Sequence, residues 1–253
     1  MKQFIKSYWK TLLFFTLIGL IGGFATFIYQ IESIPAEELQ QLMLEQGLTK
    51  PTLVLVTLAQ SVGYGLVLGA LGIFFARRVG LWKDETSLTR KPLMASLAVS
   101  VAGGLALILP DLLFFGRYSE AIMNVFAEKP TPAFMIAALT YGAVIEEVMM
   151  RLFMMSLIAF VLHKLFTRKQ DMPPAWILIA ANVVSALLFA AGHLPATFVQ
   201  LGNSPIIIFR CFLLNGVFGL LFGYLYRKYG LRYAMLAHGG CHVISKLIWI
   251  LFI

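Results

Sequence analysis

The sequence predicts an all-α polytopic membrane protein, and three observations carry that expectation. Of 253 residues, 60% are hydrophobic and only 13% are charged, far from the roughly 45–50% apolar and 25% charged of an ordinary soluble domain. The mean hydropathy is +0.85. The apolar residues gather into seven runs, at about 11–30, 52–76, 93–115, 132–162, 174–193, 205–226 and 233–253, each long enough to cross a bilayer core, which takes roughly 20 helical residues.

Taken in order, the first run follows Lys2, Lys6 and Lys10, the arrangement of a signal peptide. It lacks an A-x-A cleavage site and six further runs follow, so it is read as a retained span. An acidic connection with Glu32, Glu37, Glu38 and Glu45 leads to the second run, which ends at Arg77 and Arg78. Lys83, Arg90 and Lys91 precede the third, and Lys129 the fourth. Lys164, Arg168 and Lys169 separate the fourth from the fifth, and Arg227, Lys228 and Arg232 separate the sixth from the seventh. Alternate connections, counting the N-terminal tail, thus hold 14 Lys and Arg, against three (Lys50, Arg117 and Lys129) in the others. The positive-inside rule then gives an N-in, C-out topology with seven spans.

The net charge of +8 and the pI near 9.6 point to anionic lipid headgroups rather than nucleic acid, because the basic residues form short clusters between apolar runs. Cys211 and Cys241 lie in apolar segments, in neither zinc-finger nor redox spacing, and are read as packing residues. No linker, low-complexity tract or internal repeat divides the chain, so residues 1–253 are read as one membrane domain. The pairs Gly19 and Gly23, Gly65 and Gly69, and Gly219 and Gly223 have the GxxxG spacing that lets helix backbones approach closely. Met149, Met150, Met154 and Met155 are read as core or lipid-facing residues, with a yielding substrate groove as the other reading.

Ionisable groups at membrane depth are costly and are usually turned inward onto a partner or a functional site. Here they are Glu146, Glu147, Arg151, His193, Arg210, His238, His242 and Lys246. Helix positions four apart share a face, while adjacent positions diverge by about 100°. Glu147 and Arg151 can therefore pair within their own helix, leaving Glu146 aimed elsewhere. Phe189 and His193 are also four apart, with Asn182 and Ser185 roughly continuing their stripe; His238, His242 and Lys246 repeat at four and four. The spacing predicts a polar site between spans four, five and seven. Arg210 and Lys246 are expected to snorkel toward an interface or to pair locally.

Three kinds of chemistry suit such a set. Chained carboxylates and imidazoles relay protons in transporters. Imidazoles and a carboxylate can hold a metal, although the zinc-protease signature HExxH is absent. Lastly, a carboxylate in an apolar, partly dry cavity is a competent general base for hydrolysis, with imidazoles to position water and stabilise an oxyanion.

The segments EEVMMR (Glu146 to Arg151), FAAGH (Phe189 to His193) and HGGCH (His238 to His242) resemble, in order, spacing and placement, the EExxxR, FxxxH and HxxxN/H motifs of the CPBP group, also called the ABI family. This group contains the type II CAAX prenyl endopeptidases and the bacteriocin-processing proteases. The resemblance covers about residues 130–253, a four-span core, and leaves residues 1–129 as three variable spans. It implies an intramembrane endopeptidase acting on a membrane-associated protein or peptide, in which Glu146 activates water and His193 helps to hold it. His238 and His242 would serve the oxyanion, and Glu147 and Arg151 would form the supporting ion pair. His242 stands where many members have Asn, and an imidazole can also bind metal. Proteins of this group are often named metalloproteases; no cofactor is favoured here, and Zn, held by Glu146, His193, His238 and His242, is the alternative.

A non-enzymatic membrane protein for bacteriocin immunity or peptide binding is the rival reading, and a proton-coupled transporter the third. The intact set of Glu146, His193 and His238 favours chemistry, and a transporter would more typically show paired repeats and broken spans. A short chain is compatible with a bacterial inner-membrane enzyme. By residue counting, His193 ends the fifth span on the outer side while Glu146 and His238 fall in the inner half. For the three motifs to meet, either the uncharged stretch Leu194 to Pro205 dips inward or the helix boundaries shift.

Overall fold

The computed structural model describes residues 2–34, 36–45, 47, 49–84 and 87–253; the side chains of Lys2 and Glu38, which enter the charge argument above, lie outside the described ones. The chain is a bundle of long helices with no strand among the described residues. Seven of them frame the fold: α1 (Lys2–Ser33), α2 (Lys50–Arg78), α3 (Arg90–Ala106), α4 (132–166), α5 (Ala175–Gly192), α6 (Pro205–Tyr229) and α7 (Leu231–Phe252). Local signals set their starts. Thr49 accepts the Thr52 N–H at 3.3 Å to cap α2, and Thr131 accepts the Phe134 N–H at 3.2 Å to cap α4. Pro51 and Pro132 occupy the first turns, where no N–H is needed.

Six helical stretches among the described residues are long and apolar enough to cross a membrane: Lys6–Ser33, Lys50–Arg78, Arg90–Arg117, Ala175–Leu201, Pro205–Tyr229 and Leu231–Phe252. The chain is a multi-pass membrane protein. The helix expected as the fourth span, α4, stands apart from these six. It lies at the centre of the bundle, in contact with α1, α2, α5, α6 and α7, and carries Glu146, Glu147 and Arg151. The peripheral helices show apolar stripes on their outer faces, such as Trp176, Ile179, Val183 and Leu187 on α5, all exposed at helical spacing. In a bilayer those stripes face lipid.

Small residues set the close contacts. A Cβ at Gly19 on α1 would lie 2.6 Å from the Ser61 carbonyl oxygen, and one at Gly65 on α2 would lie 2.5 Å from that of Phe15, so the expected packing role of these glycines holds. Hydroxyls fasten other neighbours: Ser96 and Ser100 on α3 donate to the carbonyls of Tyr233 and Ala237 on α7 at 2.9 and 3.3 Å. Ser185 on α5 donates to Met150 O on α4 at 2.7 Å, and Asn182 donates to Leu220 O on α6 at 3.0 Å. The polar stripe expected of the fifth span therefore splits, with its first half tying helices together.

Two expectations about helix geometry are corrected. The span does not end at His193: that residue caps the Ala175–Gly192 helix, a second helix, Leu194–Leu201, follows directly, and the apolar stretch runs as Ala175–Leu201. The shift in helix boundary, rather than an inward-dipping coil, removes His193 from the end of its span. In α4, Ala138–Glu146 and Val148–Met155 are wound as π-helix. With i→i+5 hydrogen bonds each turn holds more residues and each residue advances less along the axis, so counting at 1.5 Å per residue overstates the depth of Glu146.

Arg210 does not snorkel or pair locally. Its Nε and Nη2 donate to Oδ1 and Oδ2 of Asp111 at 2.6 and 2.5 Å, a two-pronged pair joining the end of the Arg90–Arg117 stretch to α6. Asp111 is buried and was missed among the ionisable groups at membrane depth. Lys246 is buried as well.

Two outcomes test this architecture. Asp111→Ala leaves a guanidinium without its partner and is expected to cost on the order of 3–5 kcal/mol, read as a lowered melting temperature in detergent. For the orientation, single cysteines near Glu45 and Lys129 are expected to react with an impermeant thiol reagent in intact cells, and ones near Lys83 and Arg168 not to react. Labelling at Lys83 would reverse the topology.

Candidate active site

The site forms where α4 meets α6 and α7. Adjacent positions on α4 send Glu146 and Glu147 in different directions. Glu147 is 0% exposed and Glu146 20%, so one carboxylate is sealed in protein and the other is partly exposed.

Glu147 is the centre of the sealed part. Its Oε1 lies 3.0 Å from Nη1 of Arg151 and 2.9 Å from Nδ1 of His238. The Arg151 contact is ionic without hydrogen-bond alignment, and Glu147 Oε2 has no hydrogen-bond partner among the described residues. The guanidinium is completed from α6, where Gly219 O accepts from Nη2 at 3.1 Å. The Phe189 and Phe222 rings cover it, with centroids 4.5 and 5.4 Å from Cζ. A Cβ at Gly219 would stand 3.3 Å from Nη2 and 3.1 Å from the Ala186 Cβ, which explains the small residue there.

His238 connects the two acids. Its Nδ1 faces Glu147, an acceptor when ionised, so Nδ1 carries a proton. Nε2 lies 3.9 Å from Oε2 of Glu146, too far for a direct hydrogen bond and a distance at which a bridging water belongs. The ring is held flat against Phe222, at 4.6 Å between centroids and 18° between planes.

The other candidates fall around this centre. The His242 ring lies 5.0 Å from that of His238. Its Nε2 sits over the α4 backbone at Gly142, where a Cβ would approach to 3.2 Å, one turn before Glu146. The His193 Nδ1 donates to Phe189 O at 2.8 Å, and its ring meets the Phe189 ring edge-on at 4.6 Å; Phe189 in turn lies 6.0 Å from His238. Glu146, Glu147, Arg151 and His238 thus come together directly, His242 stands next to them, and His193 is linked through Phe189. The sixth span, expected to stand outside the site, supplies Gly219 and Phe222. The Gly219 and Gly223 spacing was the available signal for this close approach; nothing in the sequence marks Phe222.

Among the described residues no three His, Cys, Asp or Glu side chains gather in a way that could hold a metal ion. Glu147 is committed to Arg151 and His238, and Nδ1 of His242 faces the Lys246 ammonium at 3.4 Å, whose charge opposes a second cation there. The two cysteines are buried and free, in the packing role expected of them: Cys211 on α6 donates to Ala190 O on α5, and Cys241 on α7 to Val99 O on α3.

Neither a curated protein nor a solved structure matches the chain. A family model does match, described as type II CAAX prenyl endopeptidase Rce1-like, over residues 128–244. That stretch runs from just before α4 into α7 and holds every residue of the constellation. The helices that build the site are thus similar to the Rce1-like type II CAAX prenyl endopeptidases, a family of proteases.

Proposed function

We propose that the chain is an intramembrane endopeptidase that hydrolyses a peptide bond in a membrane-associated protein or peptide through water activated by Glu146. The observation that carries this reading is the 3.9 Å separation of Glu146 Oε2 and His238 Nε2, with His238 Nδ1 already committed to Glu147. A water between them donates one hydrogen to each. Glu146 takes the proton as the oxygen attacks the scissile carbonyl, then returns it to the departing amine. His242, one turn of α4 away at Gly142, is placed to donate to the oxyanion. In this arrangement His238 holds the water, the part first assigned to His193. Because His193 gives its Nδ1 proton to Phe189 O, its Nε2 is an acceptor suited to the scissile N–H or the emerging amine. Glu147 and Arg151 do no chemistry; they fix the His238 tautomer and ring position.

No step uses a metal. The purified protein is accordingly expected to hold less than stoichiometric zinc and to keep cleaving peptide after strong chelation. Loss of cleavage with chelator and its return with added zinc would refute this.

The two adjacent acids are expected to respond differently to mutation. Glu146→Gln keeps the shape and removes the base, so cleavage is abolished while the melting temperature stays equal or rises. Glu147→Ala strands a buried guanidinium, and the loss of on the order of 3–5 kcal/mol lowers folded yield together with activity; Arg151→Ala behaves alike. Peptidomes of membranes carrying wild-type protein or Glu146→Gln test the protease reading directly. If the peptidomes match each other and neither protein cleaves peptide, the chain is a binding or immunity protein; if Glu146→Gln cleaves at the wild-type rate, the base is another residue.

A further inference from the structure

We propose that Lys246, outside all three motifs, is a positioning residue that sets the tautomer of His242 and so aims an N–H at the reacting carbonyl. The inference rests on the hydrolytic reading above. Lys246 lies one turn after His242 on α7, is buried, and points its Nζ at His242 Nδ1 at 3.4 Å. Its other described neighbour is the face of the Phe134 ring, 4.2 Å from Nζ; no carboxylate pairs with it among the ion pairs of the described residues. A buried ammonium is costly without a carboxylate, and a π-face with one imidazole nitrogen is an unusual pair of partners to retain it.

The chemistry of those partners gives it a task. An ammonium has three donors and no acceptor, so the His242 nitrogen that faces it must present a lone pair. A neutral imidazole with an unprotonated Nδ1 carries its proton on Nε2. Nε2 is the atom that lies over Gly142, one turn before Glu146. Without Lys246 the ring is free to take the other tautomer and turn a lone pair toward the oxyanion, which would repel the developing charge instead of stabilising it. His238 shows the opposite arrangement on the same helix, where the carboxylate of Glu147 fixes the proton on Nδ1. Glu147 and Lys246 thus assign opposite tautomers to two imidazoles four residues apart.

Isotope-labelled histidine in the full chain, read by nitrogen NMR in detergent, tests the assignment; the protein has four histidines, and His242→Asn identifies the signal of interest. The wild type is expected to show His242 protonated on Nε2 and not on Nδ1. Lys246→Met is expected to mix or invert that tautomer and to lower kcat about tenfold to a hundredfold, with KM changed less than about twofold. Lys246→Arg, which also only donates, is expected to keep the tautomer and most of the activity. In the His242→Asn background an amide presents its own N–H, and Lys246→Met is expected to cost no further activity. An unchanged His242 tautomer in Lys246→Met, or the same loss of kcat in the His242→Asn background, overturns the proposal. If Lys246→Met does not fold, Lys246→Gln gives the same two readouts. Absence of cleavage in the wild type and in every variant would refute the protease reading, while the tautomer spectra would still decide the role of Lys246.

Discussion

The buried charge of Glu147 is the constraint around which the rest of this structure is arranged. A carboxylate taken fully out of water is retained only with charged or hydrogen-bonding partners, and those partners come from three helices. Arg151 is on the same helix and His238 on α7. Gly219 and Phe222 on α6 serve the guanidinium and the imidazole. Shifting any of these helices by a residue would replace one of those contacts with an apolar side chain. The ion pair therefore fixes the register of α4, α6 and α7, and the hydroxyl ties from Ser96 and Ser100 hold α7 to α3 behind it.

Glu146 inherits its properties from that arrangement. Adjacent to an acid that is paired with Arg151, it has no Lys or Arg partner among the ion pairs of the described residues, and it faces the far nitrogen of an imidazole already engaged by Glu147. Glu146 closes one π-wound segment, and Glu147 stands between it and the next. Runs of i→i+5 winding are rare and tend to mark functional positions; here Ser185 donates to Met150 O within one such segment.

The parts of this arrangement that depend on spacing were legible in the sequence. The four-residue interval between Glu147 and Arg151 gave their ion pair, and the adjacency of Glu146 and Glu147 gave their separation into different directions. The apolar runs located the long helices, because a bilayer requires that length whatever the side chains. Other features depend on contacts between residues far apart in the chain, which hydropathy does not encode. Asp111 meets Arg210 across 99 residues, and Phe222 has no motif to distinguish it from the other phenylalanines of an apolar helix. The winding of α4 was hidden for a related reason: α- and π-helix place similar demands on side-chain polarity, so composition cannot tell them apart. The depth mismatch between His193 and Glu146 came from assigning every residue the same rise and from ending the fifth span at its last motif residue.

Charge balance connects the motif residues to the one that lies outside them. Glu147 and Arg151 form a neutral unit, which leaves Glu146 and Lys246 as the remaining pair of formal charges at the site, separated by His238 and His242. Direct contact between that acid and that cation would make a second closed ion pair, and the acid would lose the base role proposed for it. Interposing two imidazoles keeps the site near neutral, as a low-dielectric surrounding demands, while leaving the carboxylate open to water. It also places a polarisable, hydrogen-bonding group next to each charge. On this view the histidine at position 242 and the lysine at position 246 form one unit: the imidazole reaches the reacting centre, and the ammonium decides which of its nitrogens carries the proton.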